Sequence, residues 1–158
     1  AMFETGAGGT APTLVKELKE RNHLLWDSLG EFLALSASLE HLAFFRQKKE
    51  AKELSDALNR AVASYLDENK TPNATLDTRE SHFYLALFWA REMAKSGGIL
   101  SKIFENLADE LEKNESEILK QIREKDGASV EFGGYYLLDE ARANEVMRPS
   151  EILNQIIG

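Results

Sequence analysis

The run His82-Phe-Tyr-Leu-Ala-Leu-Phe-Trp89 constrains the fold more than any other stretch of the chain. Wound as an α-helix it is apolar around its whole circumference, and such a helix is stable only when other elements surround it. The flanking patterns supply those elements. Thr10 can cap a helix and Pro12 suits its first turn, where a missing N–H costs nothing, so a helix is expected to about Arg21, broken by Asn22 and His23. Ser28 with Glu31 three residues on forms a capping box. It opens a second helix through Leu29, Phe32, Leu33, Leu35, Leu39, Leu42 and Phe45, whose apolar residues spread around most of its surface and predict burial on several sides. A third helix, Glu50 to Asn69, carries the stripe Leu54, Leu58, Ala61 and Tyr65. Lys70-Thr71-Pro72-Asn73 is a loop. Thr78 is expected to cap the helix that holds the 82–89 run, and Ser96-Gly97-Gly98 to end it. A fifth, long helix runs from Ile99 to about Lys125, with Leu100, Phe104, Leu107, Leu111, Ile118 and Ile122 near one face.

Beyond the turn at Asp126-Gly127 the pattern changes. Ser129-Val130-Glu131-Phe132 alternates like a short strand, Gly133-Gly134 bends the chain, and two short helices follow at Asp139–Val146 and Ser150–Ile157 on either side of Pro149. The chain therefore reads as mainly α: a helical, bundle-like segment with one short β element. A lone strand needs a partner, so the expectation is that the segment completes an α/β domain with a sheet supplied from outside this sequence. Residues 1–158 form one segment, divided into a loop at 4–12, a helical core at 12–125, and the short strand with the C-terminal helices at 128–158.

Composition narrows the function classes. A chain of 158 residues can bury a real core. Its formal net charge of −8, with no basic patch, argues against a nucleic-acid partner. No cysteine is present, which removes disulfides, thiolate metal sites and cysteine nucleophiles. The longest apolar stretches fall far short of the ~20 residues of a membrane span. No basic region followed by an apolar core marks a signal peptide. A cytoplasmic protein with no membrane partner is expected.

The physical candidate for chemistry is the loop Gly6-Ala7-Gly8-Gly9-Thr10. Glycines let backbone N–H groups approach a phosphate, and the helix that starts at Pro12 adds the positive end of its dipole. A flexible terminus or tight turn has the same composition. The histidines, His23, His41 and His82, lie 18 and 41 residues apart and form no helix-spaced ligand pair. Acidic groups such as Asp67-Glu68 and Asp109-Glu110 read as solvated helix faces. No Walker loop and no Gly-x-Ser-x-Gly elbow occurs.

Several strings in fixed order say more. They are Phe3-Glu-Thr-Gly-Ala-Gly-Gly-Thr-Ala-Pro12, Trp26-Asp-Ser-Leu-Gly-Glu-Phe-Leu-Ala-Leu35, Ser38-Leu-Glu-His-Leu42, Leu66-Asp-Glu-Asn-Lys70, Ser81-His-Phe-Tyr-Leu-Ala-Leu-Phe-Trp89, Gly133-Gly-Tyr-Tyr136 and Met147-Arg-Pro-Ser150. Over essentially its whole length the chain resembles the C-terminal part of the monomeric isocitrate dehydrogenases. That resemblance implies a piece of an enzyme that oxidatively decarboxylates isocitrate to 2-oxoglutarate with a nicotinamide dinucleotide and Mg2+ or Mn2+. In the family the metal aspartates, the substrate-binding arginine and the catalytic lysine and tyrosine lie upstream of this stretch. The implied partners are thus the dinucleotide and the missing N-terminal portion, with isocitrate bound mainly elsewhere and no catalytic or metal-ligating residue in this chain. The isolated chain is expected to be inactive. The alternative is a stand-alone nucleotide-binding or regulatory helical module derived from the family.

The resemblance also assigns cofactor positions. Gly8, Gly9, Thr10 and Ala11 match the family's loop, Pro12 its helix-start proline, and Asp27 the aspartate of Trp-Asp-Ser. Members that use NADP carry a histidine two residues after that proline, an arginine just before Trp-Asp-Ser, and another after the Asn-Lys-Ser-Pro loop. Here these positions are Leu14, Leu25 and Ala74. A 2′-phosphate brings roughly two negative charges and calls for charge-assisted donors, which two leucines and an alanine do not offer. The expectation is therefore NAD, with NADP as the alternative.

Overall fold

The structure, a computed structural model, describes residues 11–25, 29–73, 75–134 and 137–158, and for 11–15 the backbone alone. Seven helices follow one another among the described residues: α1 (Ala11–Arg21), α2 (Leu29–Arg46), α3 (Lys49–Asp67), α4 (Thr78–Lys95), α5 (Ser101–Arg123), α6 (Glu140–Met147) and α7 (Glu151–Ile157). α4 carries the 82–89 run and lies between α3 and α5; α2 packs on the far side of α3, and α7 on α5. Phe83, Leu87, Leu58, Leu111, Ile118 and Ile122 are the centre of the resulting core. The surrounded helix is the one whose sequence demanded it.

The helix ends follow from local chemistry. α1 stops at Asn22, which takes a left-handed conformation (φ 49°) that asparagine tolerates better than most residues. α3 ends the same way at Asn69 (φ 53°), where the amides of Asn69 and Lys70 donate to the Leu66 and Tyr65 carbonyls. α4 is capped by Asp77, not by Thr78, because the Asp77 carboxylate accepts the Arg79 amide at 2.8 Å. Asp139 caps α6 and Ser150 caps α7 in the same manner.

Two expectations are corrected. α2 is not enclosed: Ser36 is its one buried residue, while Leu29, Phe32 and Leu39 are only partly covered and Phe44 is 77% exposed. Its cover comes mainly from α3, with Phe32 also meeting the His82 ring of α4. The short β element is also absent, since the described residues contain no strand. The alternation at Val130 and Phe132 reflects burial without pairing. Phe132 enters a second, smaller core with Leu18, Leu24 and Val146, and Val130 packs against it. The amides of Gly127 and Val130 donate to the Arg21 and Lys19 carbonyls at 2.5 and 2.8 Å. Residues 127–132 thus cap the open C-terminal end of α1, whose last carbonyls have no partner within the helix.

Candidate functional site

Of the expected cofactor positions, Gly8, Gly9, Thr10, Asp27 and Ala74 lie outside the described residues. Ala11, Pro12 and Leu14 form the first turn of α1. Leu25 is described, and its side chain is 42% exposed. The structure does not place all of these together, but it shows what holds the segments that carry them.

A buried polar knot joins those segments. Arg79, in the first turn of α4, donates from Nε to Asp77 Oδ1 at 2.8 Å and from Nη2 to Asp77 Oδ2 at 2.9 Å. Its remaining donors reach the Asn22 side-chain oxygen (2.9 Å), the Asn22 carbonyl (2.5 Å) and the Val146 carbonyl (2.8 Å). One planar fork therefore joins the end of α1, the start of α4 and the end of α6. Asp77 does more than balance the charge: its Oδ2 accepts the Leu24 amide at 2.6 Å, while the Leu24 carbonyl accepts the Thr78 amide at 2.7 Å. Leu24 is pinned from both sides, and Leu25 follows it directly.

The loop before Asp77 is closed by Asn73. Its side-chain oxygen accepts from the Thr75 amide, the Thr75 hydroxyl and the Leu76 amide at 2.9, 2.8 and 3.1 Å, the side-chain-to-backbone bonding typical of asparagine in turns. Lys70, at the head of this loop, lies with its ammonium 4.3 Å from the centre of the Tyr84 ring. The segment bearing Leu25 and the loop bearing Ala74 are therefore tied together through Leu24, Asp77 and Thr78.

His23 borders the knot, with Nδ1 3.2 Å from an Asp126 oxygen and 3.7 Å from Asp77 Oδ2. Sequence reasoning treated His23 as a helix breaker and passed over Asn22, Asp77 and Arg79 as cluster members. The signal was present in Asp77-x-Arg79, two charged residues at the mouth of the most apolar helix, where ionised groups are retained only when paired.

Fold and knot together define a mainly helical segment in which one buried ion pair ties the end of α1 to the start of α4 and the end of α6. Among the described residues no three His, Cys, Asp or Glu side chains are grouped to hold a metal ion, and no helix is long and apolar enough to cross a membrane.

The family model for monomeric isocitrate dehydrogenase matches residues 1–158, and the chain belongs to that family. It is 51% identical to isocitrate dehydrogenase (NADP) 2 of Psychrobacter sp. (strain 13A), aligned over 99% of this chain and 22% of that protein. It is 44% identical to isocitrate dehydrogenase (NADP) 2 of Colwellia maris and 41% identical to isocitrate dehydrogenase (NADP) of Azotobacter vinelandii, each again over 99% of this chain and 22% of the relative. The chain thus spans about a fifth of the length of these relatives. Their names specify NADP, so family membership does not carry the expectation of NAD. That expectation rests on Leu14, Leu25 and Ala74 alone.

Proposed function

We propose that this chain is the C-terminal, cofactor-binding part of a cytoplasmic isocitrate dehydrogenase, and that the enzyme uses NAD in preference to NADP. The match of the family model to every residue of the chain carries the first half of the proposal. The glycine loop and the start of α1 receive the dinucleotide phosphates, and Asp27 accepts a hydrogen bond from the nucleotide. The Asp77–Arg79 knot fixes the neighbouring Leu25 segment and the 70–77 loop. The Mg2+ or Mn2+ of the reaction, the catalytic groups and most of the isocitrate site belong to residues outside this chain.

The exposed side chain of Leu25 supports the second half. An exposed leucine next to the pinned Leu24 supplies no positive charge where a 2′-phosphate would need one, whereas a ribose hydroxyl requires only an acceptor. The test is steady-state turnover of isocitrate with Mn2+ in the enzyme completed by the rest of the polypeptide. The expected result is a higher kcat/KM for NAD than for NADP; the reverse order overturns the cofactor assignment. The 158-residue chain alone should show no turnover, and measurable turnover would overturn its assignment as a part.

A further inference from the structure

His23 stands where three parts of the chain meet, and the function proposed above makes no use of it. It lies just beyond the end of α1 and directly before the pinned Leu24. Its side chain is 15% exposed, and both ring nitrogens are closed off from solvent without a hydrogen-bond partner among the described residues. Buried polar atoms are seldom left in that condition. Nδ1 nevertheless sits 3.2 Å from an Asp126 oxygen and 3.7 Å from Asp77 Oδ2. At these distances, and without hydrogen-bond geometry, ring and carboxylates are joined by charge. A neutral imidazole offers the two carboxylates no such attraction; the imidazolium does.

The charged groups on each side favour a cation at this point. From the start of α4 come Asp77 and Arg79, already joined to each other by two prongs. His82 of the same helix also feels Asp77. From the segment after α5 comes Asp126, half exposed, whose carboxylate meets no cation other than His23 among the described residues. Its neighbour Lys125 borders a separate cleft with Arg142. From α1, Arg21 is exposed and turned to Glu17, so it leaves the C-terminal end of that helix uncompensated, and such an end attracts positive charge. The cluster is not built to hold a metal, because the Asp77 oxygens are taken by the Leu24 amide and by Arg79.

We infer that His23 is a proton-dependent latch between the Asp77–Arg79 knot and the segment that caps α1. As an imidazolium it holds Asp126 against the knot; once it gives up its proton, that hold is lost and the cap slackens. The latch closes where the cap begins, since Gly127 follows Asp126 directly and donates its amide to the Arg21 carbonyl, as Val130 does to Lys19. Histidine is the side chain whose charge ordinarily changes between about pH 5 and pH 8, so the cap tightens toward the acid side of that range and loosens toward the alkaline side. His23 is in this sense a positioning residue, acting through Asp126 on the end of α1. The inference rests on neither the cofactor nor the reaction assigned to the chain.

The test is amide hydrogen exchange of the full chain, read by NMR as protection factors at Gly127 and Val130 across about pH 6 to pH 8. Protection at both amides should fall at least threefold from the acid to the alkaline end. His82 cannot imitate this result, because burial of its ring makes the fold as a whole less stable toward acid, the opposite direction. Asp126→Asn, at a half-exposed position, should remove the pH dependence. His23→Gln should leave both amides, at every pH, with the weak protection of the unaltered chain near pH 8. Protection that does not change with pH in the unaltered chain overturns the latch, and so does an equal fall in Asp126→Asn. Should His23→Gln fail to fold, Asp126→Asn decides the matter without it. None of these readouts involves dinucleotide, so failure here and failure of the NAD assignment are separate results.

Discussion

Arg79 and Asp77 form a two-pronged ion pair in which both side chains are 4% exposed. A pair so far from water is held by geometry as much as by charge, and removing one partner leaves the other stranded. Arg79→Ala should therefore lower the unfolding free energy by about 3–5 kcal/mol in urea titrations. Arg79→Met combined with Asp77→Leu should recover part of that loss, because no charge then remains buried. A double variant no more stable than Arg79→Ala would show that the hydrogen bonds to Asn22, Leu24 and Val146 dominate over the charge pair.

Burial separates two leucines that the sequence does not. Leu58 is fully buried in the main core, whereas Leu42 on α2 is 41% exposed. Leu58→Ala should cost about 2–5 kcal/mol through lost transfer energy and a residual cavity. Leu42→Ala should change the stability of this chain by less than about 0.5 kcal/mol. Chemical denaturation of the two variants side by side checks the contrast.

His82 gives a pH dependence with a definite direction. Burial holds its imidazole below the ordinary value of 6.5, against the pull of Glu31 and Asp77, and its ring packs edge-on against Phe32. The unfolded chain binds this proton more readily than the folded one, so the contribution of His82 is complete above about pH 6.5 and is lost as the pH falls below it. The urea midpoint should therefore drop between pH 7.5 and pH 5.5. In His82→Gln that drop should be smaller, and an identical drop would remove His82 as its source.

Gly133 occupies a position that strains other residues. Its φ is +89°, and a Cβ there would lie 3.1 Å from the Asp139 Cβ. The bend it makes lets the Asp139 amide reach the Phe132 carbonyl at 2.7 Å. Gly133→Ala should cost about 1–3 kcal/mol, while Gly30→Ala, with open space around it, should be neutral or slightly stabilising. Thermal melts of both variants provide the measurement.

Cofactor choice can be moved if Leu14 and Leu25 determine it. In the completed enzyme, Leu14→His with Leu25→Arg should raise the NADP to NAD ratio of kcat/KM by about tenfold or more, since a hydrogen bond to a charged group contributes about 1.5–3 kcal/mol. An unchanged ratio would remove these positions from the specificity argument.

The sequence disclosed those parts of the fold that repeat along a helix. The all-round apolar run of α4 and the stripes of α3 and α5 led directly to the layered core, because periodicity reports which faces meet. α2 misled for the same reason: its pattern reports how much cover a helix calls for, not whether this chain supplies it. Val130 and Phe132 misled because alternation is shared by paired strands and by an extended segment that drops one side chain into a small core. The knot was least legible, since Asn22, Asp77, Arg79 and Val146 come from four distant places in the chain and no local spacing joins them. The ordered strings pointed to a cofactor loop that lies outside the described residues, while the support of the Leu25 segment by Asp77 became visible only in three dimensions.

The capping of α1 by residues 127–132 has a consequence for synthesis. Lys19 and its partner Val130 are 111 residues apart in the chain, and Leu18 shares its small core with Phe132 and Val146. The helix behind the glycine loop is thus made early and secured late. On the ribosome it must persist without its cap while α2 to α5 emerge, and it locks only when the last quarter of the chain has left the exit tunnel. Truncation after α5 would accordingly damage the beginning of this chain as well as the surface of α5 that α7 covers.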